Sequence, residues 1–315
     1  MGAIFVAGIL FGLIHPGAKW ITSTGIGLLP FCLFYVLLRI LLQLPVVLAT
    51  GKIKIESRSQ LKFLVSMGIV GGVLRITEFA GIVEGVPVSL VSFLIFLHPA
   101  WTVLFSRWLN QEPITHDKVI RVFIALLGLL LLSGDHWANL TSVLSLWGPI
   151  AAGMMISLWI CLSSSAPRHH CSVVSISFYY DLFSFIALAI VCLAGLSARE
   201  FSTSVQWFLK PAHFLNVTVF AALTGLIPNY LFYFGARQTS AITAALLILF
   251  EPIVSSVIAW YAWQDPITPT FIAGAACILL INVPTSVVSQ VRALHRRHVI
   301  EPPQQPTEEI SKTAV

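Results

Sequence analysis

An all-α membrane protein of ten transmembrane helices, built as two inverted five-helix repeats, is the fold class this sequence predicts. Three observations lead there. Apolar residues make up 57% of the 315 positions and come in long blocks, the charged residues that remain gather on alternate connections, and the second half repeats the first.

Only 10% of the residues are charged and the mean hydropathy is +0.90, too little polar surface for a soluble domain. A disordered or fibrous chain is excluded on the same ground. A span requires about 20 mostly apolar residues, and ten candidates emerge, the fifth of them short: 2–21, 28–50, 61–83, 87–109, 119–132, 144–164, 173–196, 214–235, 241–263 and 266–283. The first lacks the basic leader and small-residue cleavage site of a signal peptide, so it reads as a span. Residues 288–315 form a polar tail carrying Arg292, Arg296, Arg297 and Pro302-Pro303, expected to be solvated. Cys32, Cys161, Cys192 and Cys277 sit in apolar blocks, Cys171 lies in a short loop, and no pair has metal-ligand spacing.

Lysine and arginine in the connections set orientation. With the N-terminus in the cytoplasm, 13 of the 18 basic residues fall on that side, Lys52, Lys54, Arg58, Lys118 and Arg121 among them. Arg199, Lys210 and Lys19 fall opposite, and Arg39 and Arg75 lie within spans. Both termini are therefore expected in the cytoplasm, in a cell (inner) membrane.

A shift of 153 residues aligns the fourth span with the ninth. LVSFLIFLHPAWTVLFSRWLNQEPIT (90–115) matches TAALLILFEPIVSSVIAWYAWQDPIT (243–268) at Leu94/Leu247, Pro99/Pro252 and the closing QEPIT/QDPIT, and the register reaches back to Gly72/Gly225 and Phe79/Phe232. Five spans is an odd number, so the second copy enters the membrane upside down. Inverted repeats recur in secondary transporters, with the site at the repeat interface.

The two five-span halves, each with a proline in the fourth span and an acidic residue and Thr at its exit, resemble the EamA-type branch of the drug/metabolite transporter superfamily. Leu249-Phe250-Glu251-Pro252 is similar to that family's LEP element, Arg39 matches its common arginine, and Phe11-Gly12 stands where an aromatic-Gly pair is usual. The resemblance runs to about Pro284 and implies EamA-like repeats over 1–134 and 144–287. Three departures stand out: Gln111-Glu112 and Gln264-Asp265 replace the usual Gly-Glu, His15-Pro16 interrupts the first span, and His98 takes the position equivalent to Glu251. The family implies movement of small metabolites, amino acids and related amphipathic compounds included.

An ionisable group within the bilayer costs at least ~2.5 kcal/mol, so each requires a partner or a watery cavity. Glu251, mid-span beside Pro252, reads as a ligand for a substrate amine or as a proton-titrating group, with a structural carboxylate as the alternative. His98, its repeat mate, is expected across the bundle centre from it, where a histidine beside a carboxylate suits proton coupling. Arg75 and Glu78 share one face of the third span at i,i+3, either as a structural pair or as the two ends of a zwitterion site. Asn229 and Tyr230, beside their repeat mates, are expected to line the opposite wall. Arg39 and Asp181 lie at similar depths of the two halves and are expected to neutralise each other. Trp20 and Trp159 are candidates for a flat substrate surface, or for an interfacial belt.

No Gly-rich phosphate loop with a following Lys and no embedded catalytic or metal cluster is present in the sequence. The expected protein is not an enzyme and needs no cofactor or nucleic acid. Its partners are a small-molecule substrate, the lipid bilayer and protons as coupling ion; nothing in the sequence bears on oligomeric state. Export by alternating access around a cavity of spans one, three, four, six, eight and nine is preferred. Uptake or exchange of a nucleobase, sugar or cationic drug, or a non-transporting sensor or assembly role, is the alternative. A membrane-impermeant thiol reagent should reach cysteines placed at Glu112 and Asp265 from opposite faces of the cell; labelling of both from one face would overturn the inverted arrangement.

Overall fold

The computed structural model describes residues 2–84, 86, 91, 94–133, 146–263 and 268–279. The QDPI connection at 264–267, the start of the fourth span, the end of the tenth and the polar tail lie wholly or largely outside them. Among the described residues every regular element is helical.

In chain order these are α1 (Gly2–Phe11), α2 (Ile14–Thr22), α3 (Leu28–Thr50), α4 (Arg58–Val83), α5 (His98–Phe105), α6 (His116–Ser133), α7 (Trp147–Ser165), α8 (Val173–Gly195), α9 (Ala198–Phe208), α10 (Pro211–Phe220), α11 (Ile227–Ala236), α12 (Ala241–Leu247) and α13 (Glu251–Trp263). A last helix, α14, covers Pro269–Leu279. Among the described residues seven runs are long and apolar enough to cross a membrane: Gly2–Thr22, Leu28–Thr50, Arg58–Val83, Trp147–His169, Val173–Gly195, Pro211–Ala236 and Ala241–Ala262. The fourth, fifth and tenth expected spans correspond to the shorter described helices α5, α6 and α14.

Three of these runs, and the fourth span, break at proline. Pro16, Pro99, Pro228 and Pro252 each lack the N–H that would bond one turn back. Accordingly α1 and α2 are separated by Gly12-Leu13, α5 starts at a turn before Pro99, a π-helical stretch Ala221–Leu226 precedes Pro228, and a 3₁₀ turn Ile248–Phe250 precedes Pro252. Two of the unbroken helices, α4 and α8, start on side-chain caps. Ser57 accepts from the Gln60 amide at 3.1 Å and Ser172 from the Ser175 amide at 3.0 Å. At the start of α12, Ser240 accepts from the Thr243 amide, and Glu112 reaches across from the other half to accept from the Ala241 amide at 2.8 Å.

Packing runs mainly between the halves: α4 lies against α7 and α8, α3 against α8, α1 against α11, and α5 against α7. Small residues permit the closest approach. A side-chain carbon at Gly68 would collide with Phe183, and one at Gly71 with Ser184 and Tyr180, so α4 meets α8 nearly backbone to backbone.

One element was not expected. The segment 198–208 forms α9, opened by a capping box in which Ser197 accepts from the Glu200 amide and Glu200 accepts from the Ser197 amide at 2.8 Å. The Ser197 hydroxyl, donating to Glu200 Oε2 at 2.6 Å, and after it the Ser197 amide hold the Glu200 carboxyl below the usual range. Phe208 stacks on Phe34 at 4.2 Å, and Trp207 donates to the Thr24 carbonyl at 3.3 Å. The helix thus lies across the ends of α2 and α3.

Overpacking the α4–α8 contact should cost about 1–3 kcal/mol. Gly68→Val is expected to lower the midpoint of thermal unfolding in detergent, whereas Gly2→Ala, with nothing within 4 Å, should leave it unchanged.

Candidate functional site

The broken helices converge on a small cavity of about 30 Å³. Phe11 and Ile14 flank the α1/α2 break, Leu74, Arg75 and Glu78 come from α4, and Ile156 and Trp159 from α7. Asn229 comes from α11, Ile248 and Glu251 from the 3₁₀-to-α13 junction. Interrupted backbone is tolerated at membrane depth where it lines such a cavity, and each break places a side chain that a continuous helix would aim elsewhere.

Charge in this cavity is unequal. Arg75 Nη1 bonds Glu78 Oε2 at 2.5 Å, both side chains being buried. Glu251 is the second carboxylate on the wall, with no guanidinium of its own. The Arg75 guanidinium also lies over the Tyr35 ring, 5.4 Å from its centroid. Asn229 is 1% exposed and both polar atoms of its amide lack a protein partner, a cost of about 1–3 kcal/mol per group unless a ligand or water answers them. Trp159 supplies a flat apolar wall, fixed by stacking on Phe232 at 4.2 Å and by donating to the Tyr233 hydroxyl at 3.0 Å.

A second polar cluster lies beside the cavity. Arg39 Nη2 and Asp181 Oδ1 are 2.8 Å apart and wholly buried. Gln43 completes the group, donating to Asp181 Oδ2 at 2.5 Å and to the Arg39 carbonyl at 3.1 Å. The Arg39 guanidinium lies 5.5 Å from the Tyr35 centroid and 5.8 Å from that of Tyr180. Tyr35 therefore stands between Arg39 and Arg75, and its hydroxyl pairs with Thr224 in the π-helical stretch at 3.3 Å.

The expected residues divide accordingly. Arg75, Glu78, Glu251, Asn229 and Trp159 share the cavity, and Arg39 is beside Asp181. Tyr230 turns the other way and donates to Gln43 at 3.4 Å. Trp20 is 54% exposed and borders a lateral, mostly apolar groove with Pro16, Phe220 and Ala262. His98 is buried with both ring nitrogens unbonded and makes no ion pair with Glu251. His15 holds that place, with Nδ1 3.9 Å from Glu251 Oε1. The Pro16 break turns His15 toward α13, while His98 stays behind Phe96, whose ring stands 6.1 Å from each imidazole. Among the described residues the fourth span contributes nothing to the lining, contrary to expectation.

Among the described residues, seven helical runs long and apolar enough to cross a membrane, five of them lining a partly charged cavity, define a multi-pass helical membrane protein. Residues 1–134 and 144–283 match the EamA-like transporter family, and the chain belongs to it. Two uncharacterized transporters of Archaeoglobus fulgidus are similar, one 24% identical over 195 residues (61% of this chain, 65% of the relative) and one 21% identical over 206 residues (65% and 70%). The chain thus spans just under two thirds of the first relative's length. A crystal structure of another protein shares the fold with a TM-score of 0.70 at 16% identity, covering 91% of this chain and 96% of that one.

Breaking a buried ion pair strands a charge at about 3–5 kcal/mol, whereas replacing both partners by apolar groups is often neutral. Arg39→Met should sharply lower thermal stability in detergent and Arg39→Met/Asp181→Leu should recover most of it. A double variant no more stable than the single would refute the pairing.

Proposed function

We propose that this EamA-family protein is a secondary transporter, with export preferred, of a small amphipathic metabolite that carries an amine, such as an amino acid or a related compound. The observation that carries this reading is the cavity's composition: two carboxylates and one guanidinium, beside an unpartnered amide, against the wall of Trp159, Phe11 and Ile156. Because Arg75 and Glu78 are already in contact, the surplus carboxylate, Glu251, is the one that receives a cationic amine. A substrate carboxylate would be taken by Asn229 and the remaining donors of Arg75, and the apolar body by Trp159. Protons would be the coupling ion, acting through Glu251.

Alternating access in this reading uses ten spans in two inverted repeats, with both termini in the cytoplasm of a cell (inner) membrane. Three features of the packing support it. Span one lies on span eight as span six lies on span three, and span four on span six as span nine on span one. Repeat-mated Gly72 and Gly225 make mated contacts, the first against Ser184 and Ala187 in span seven, the second against Tyr35 and Arg39 in span two. A two-fold axis in the membrane plane would produce this exchange.

Purified protein screened by thermal shift against amino acids, nucleobases, sugars and cationic drugs should be stabilised by amine-bearing compounds. Counterflow of the best of these into proteoliposomes should fall at least roughly tenfold in Glu251→Gln, since a charge-assisted bond contributes about 1.5–3 kcal/mol. Stabilisation confined to uncharged compounds, or undiminished counterflow in that variant, would refute the reading.

A further inference from the structure

Building on the transport reading, we propose that His15 and Glu251 together form the proton-holding pair of the cavity, with His15 as a positioning and relay residue behind the carboxylate. His15 is wholly buried within a span and neither ring nitrogen has a hydrogen-bond partner in the protein. Packing alone does not call for an imidazole there, because an aliphatic side chain would fill the space without leaving two polar atoms unanswered. Its Nδ1 lies 3.9 Å from Glu251 Oε1. That is beyond a hydrogen bond, and an approach of about 1 Å or one bridging water closes it. Glu251 opens on the cavity while His15 does not, so a ligand meets the carboxylate first and the imidazole second.

Two other charged side chains act on Glu251 across the cavity. From α4, Arg75 and Glu78 face the same cavity but are bonded to each other. From α13 comes Glu251. The titratable residue of α10, His213, stacks on Trp207 at the other end of that helix, and His98 stands beyond Phe96. On α2 itself the charged residue is Lys19, one turn further along. In the proposed step the Glu251 O–H bond breaks with its electron pair left on oxygen, and the His15 Nδ1 lone pair takes the proton while Nε2 keeps its own. A neutral acid and a neutral imidazole become a carboxylate and an imidazolium. A cationic group settling against Glu251 drives this step, and His15 is the base that receives what the carboxylate gives up.

The test needs no substrate. Full-length protein in liposomes is titrated by infrared spectroscopy, with the protonated-carboxyl C=O band of Glu251 assigned by its loss in Glu251→Gln. In His15→Gln the midpoint of that band should move by at least about one pH unit, since interacting sites titrate as a pair. A midpoint that stays within about 0.3 units overturns the proposal, as the same spacing of the two groups would otherwise couple them. If His15→Gln fails to fold, histidine-labelled wild-type protein is followed by nitrogen NMR. A His15 titration that tracks the Glu251 band supports the pair, and an imidazole with no titration between about pH 5 and 9 overturns it. Neither readout depends on flux, so transport can fail while the pair stands, or the reverse.

Discussion

Inside a hydrocarbon layer no water is at hand to solvate a charge, and the Arg39–Asp181 contact answers that constraint for the whole bundle. Arg39 comes from the first half and Asp181 from the second, with Gln43 bonded to the carboxylate and two tyrosine rings near the guanidinium. A salt bridge so deeply buried gains little net stability over an apolar pair. What it provides is registry: α3 and α8 can slide or rotate against each other only by exposing a charge to lipid. The approach of α4 to α8 depends on that registry, because the glycines of α4 meet Tyr180 and Phe183 on the same helix that carries Asp181.

With one arginine neutralised away from the cavity, the electrostatics of the cavity itself are left to the other. Arg75 answers Glu78, and Glu251 has only a distant imidazole behind it. Tyr35, lying between the two guanidiniums, joins the structural cluster to the functional one. Proline breaks in the first, eighth and ninth spans then set the side chains around this imbalance. The cavity is thus the product of two separate devices, a charge clamp that holds the halves and interrupted helices that aim residues between them.

Much of this could be read from residue order alone. Block hydropathy marks every long span, and the i,i+3 spacing of Arg75 and Glu78 requires that they share a helix face. Equal depth in two halves brought Arg39 to Asp181. The His98–Glu251 expectation rested on repeat symmetry, which places equivalent residues about an axis but does not say how far from it they stand; the local break at Pro16, peculiar to the first span, brought His15 there instead. Trp20 and Tyr230 show the related difficulty that helical phase at a broken span cannot be counted through the break. The helix α9 escaped notice because a search tuned to long apolar blocks passes over a short amphipathic one, although Ser197 and Glu200 at capping-box spacing were visible.

The π-helical stretch Ala221–Leu226 accommodates one residue more than a regular turn would. Were that surplus to slip past Pro228 toward the other end of the span, every residue between would swivel by about 100°, the angle one position occupies on an α-helix. Asn229 would leave the chamber wall and a leucine or tyrosine would come round in its stead, with both ends of the helix still anchored. A single wandering coil defect could thereby repaint the chamber without any span tilting.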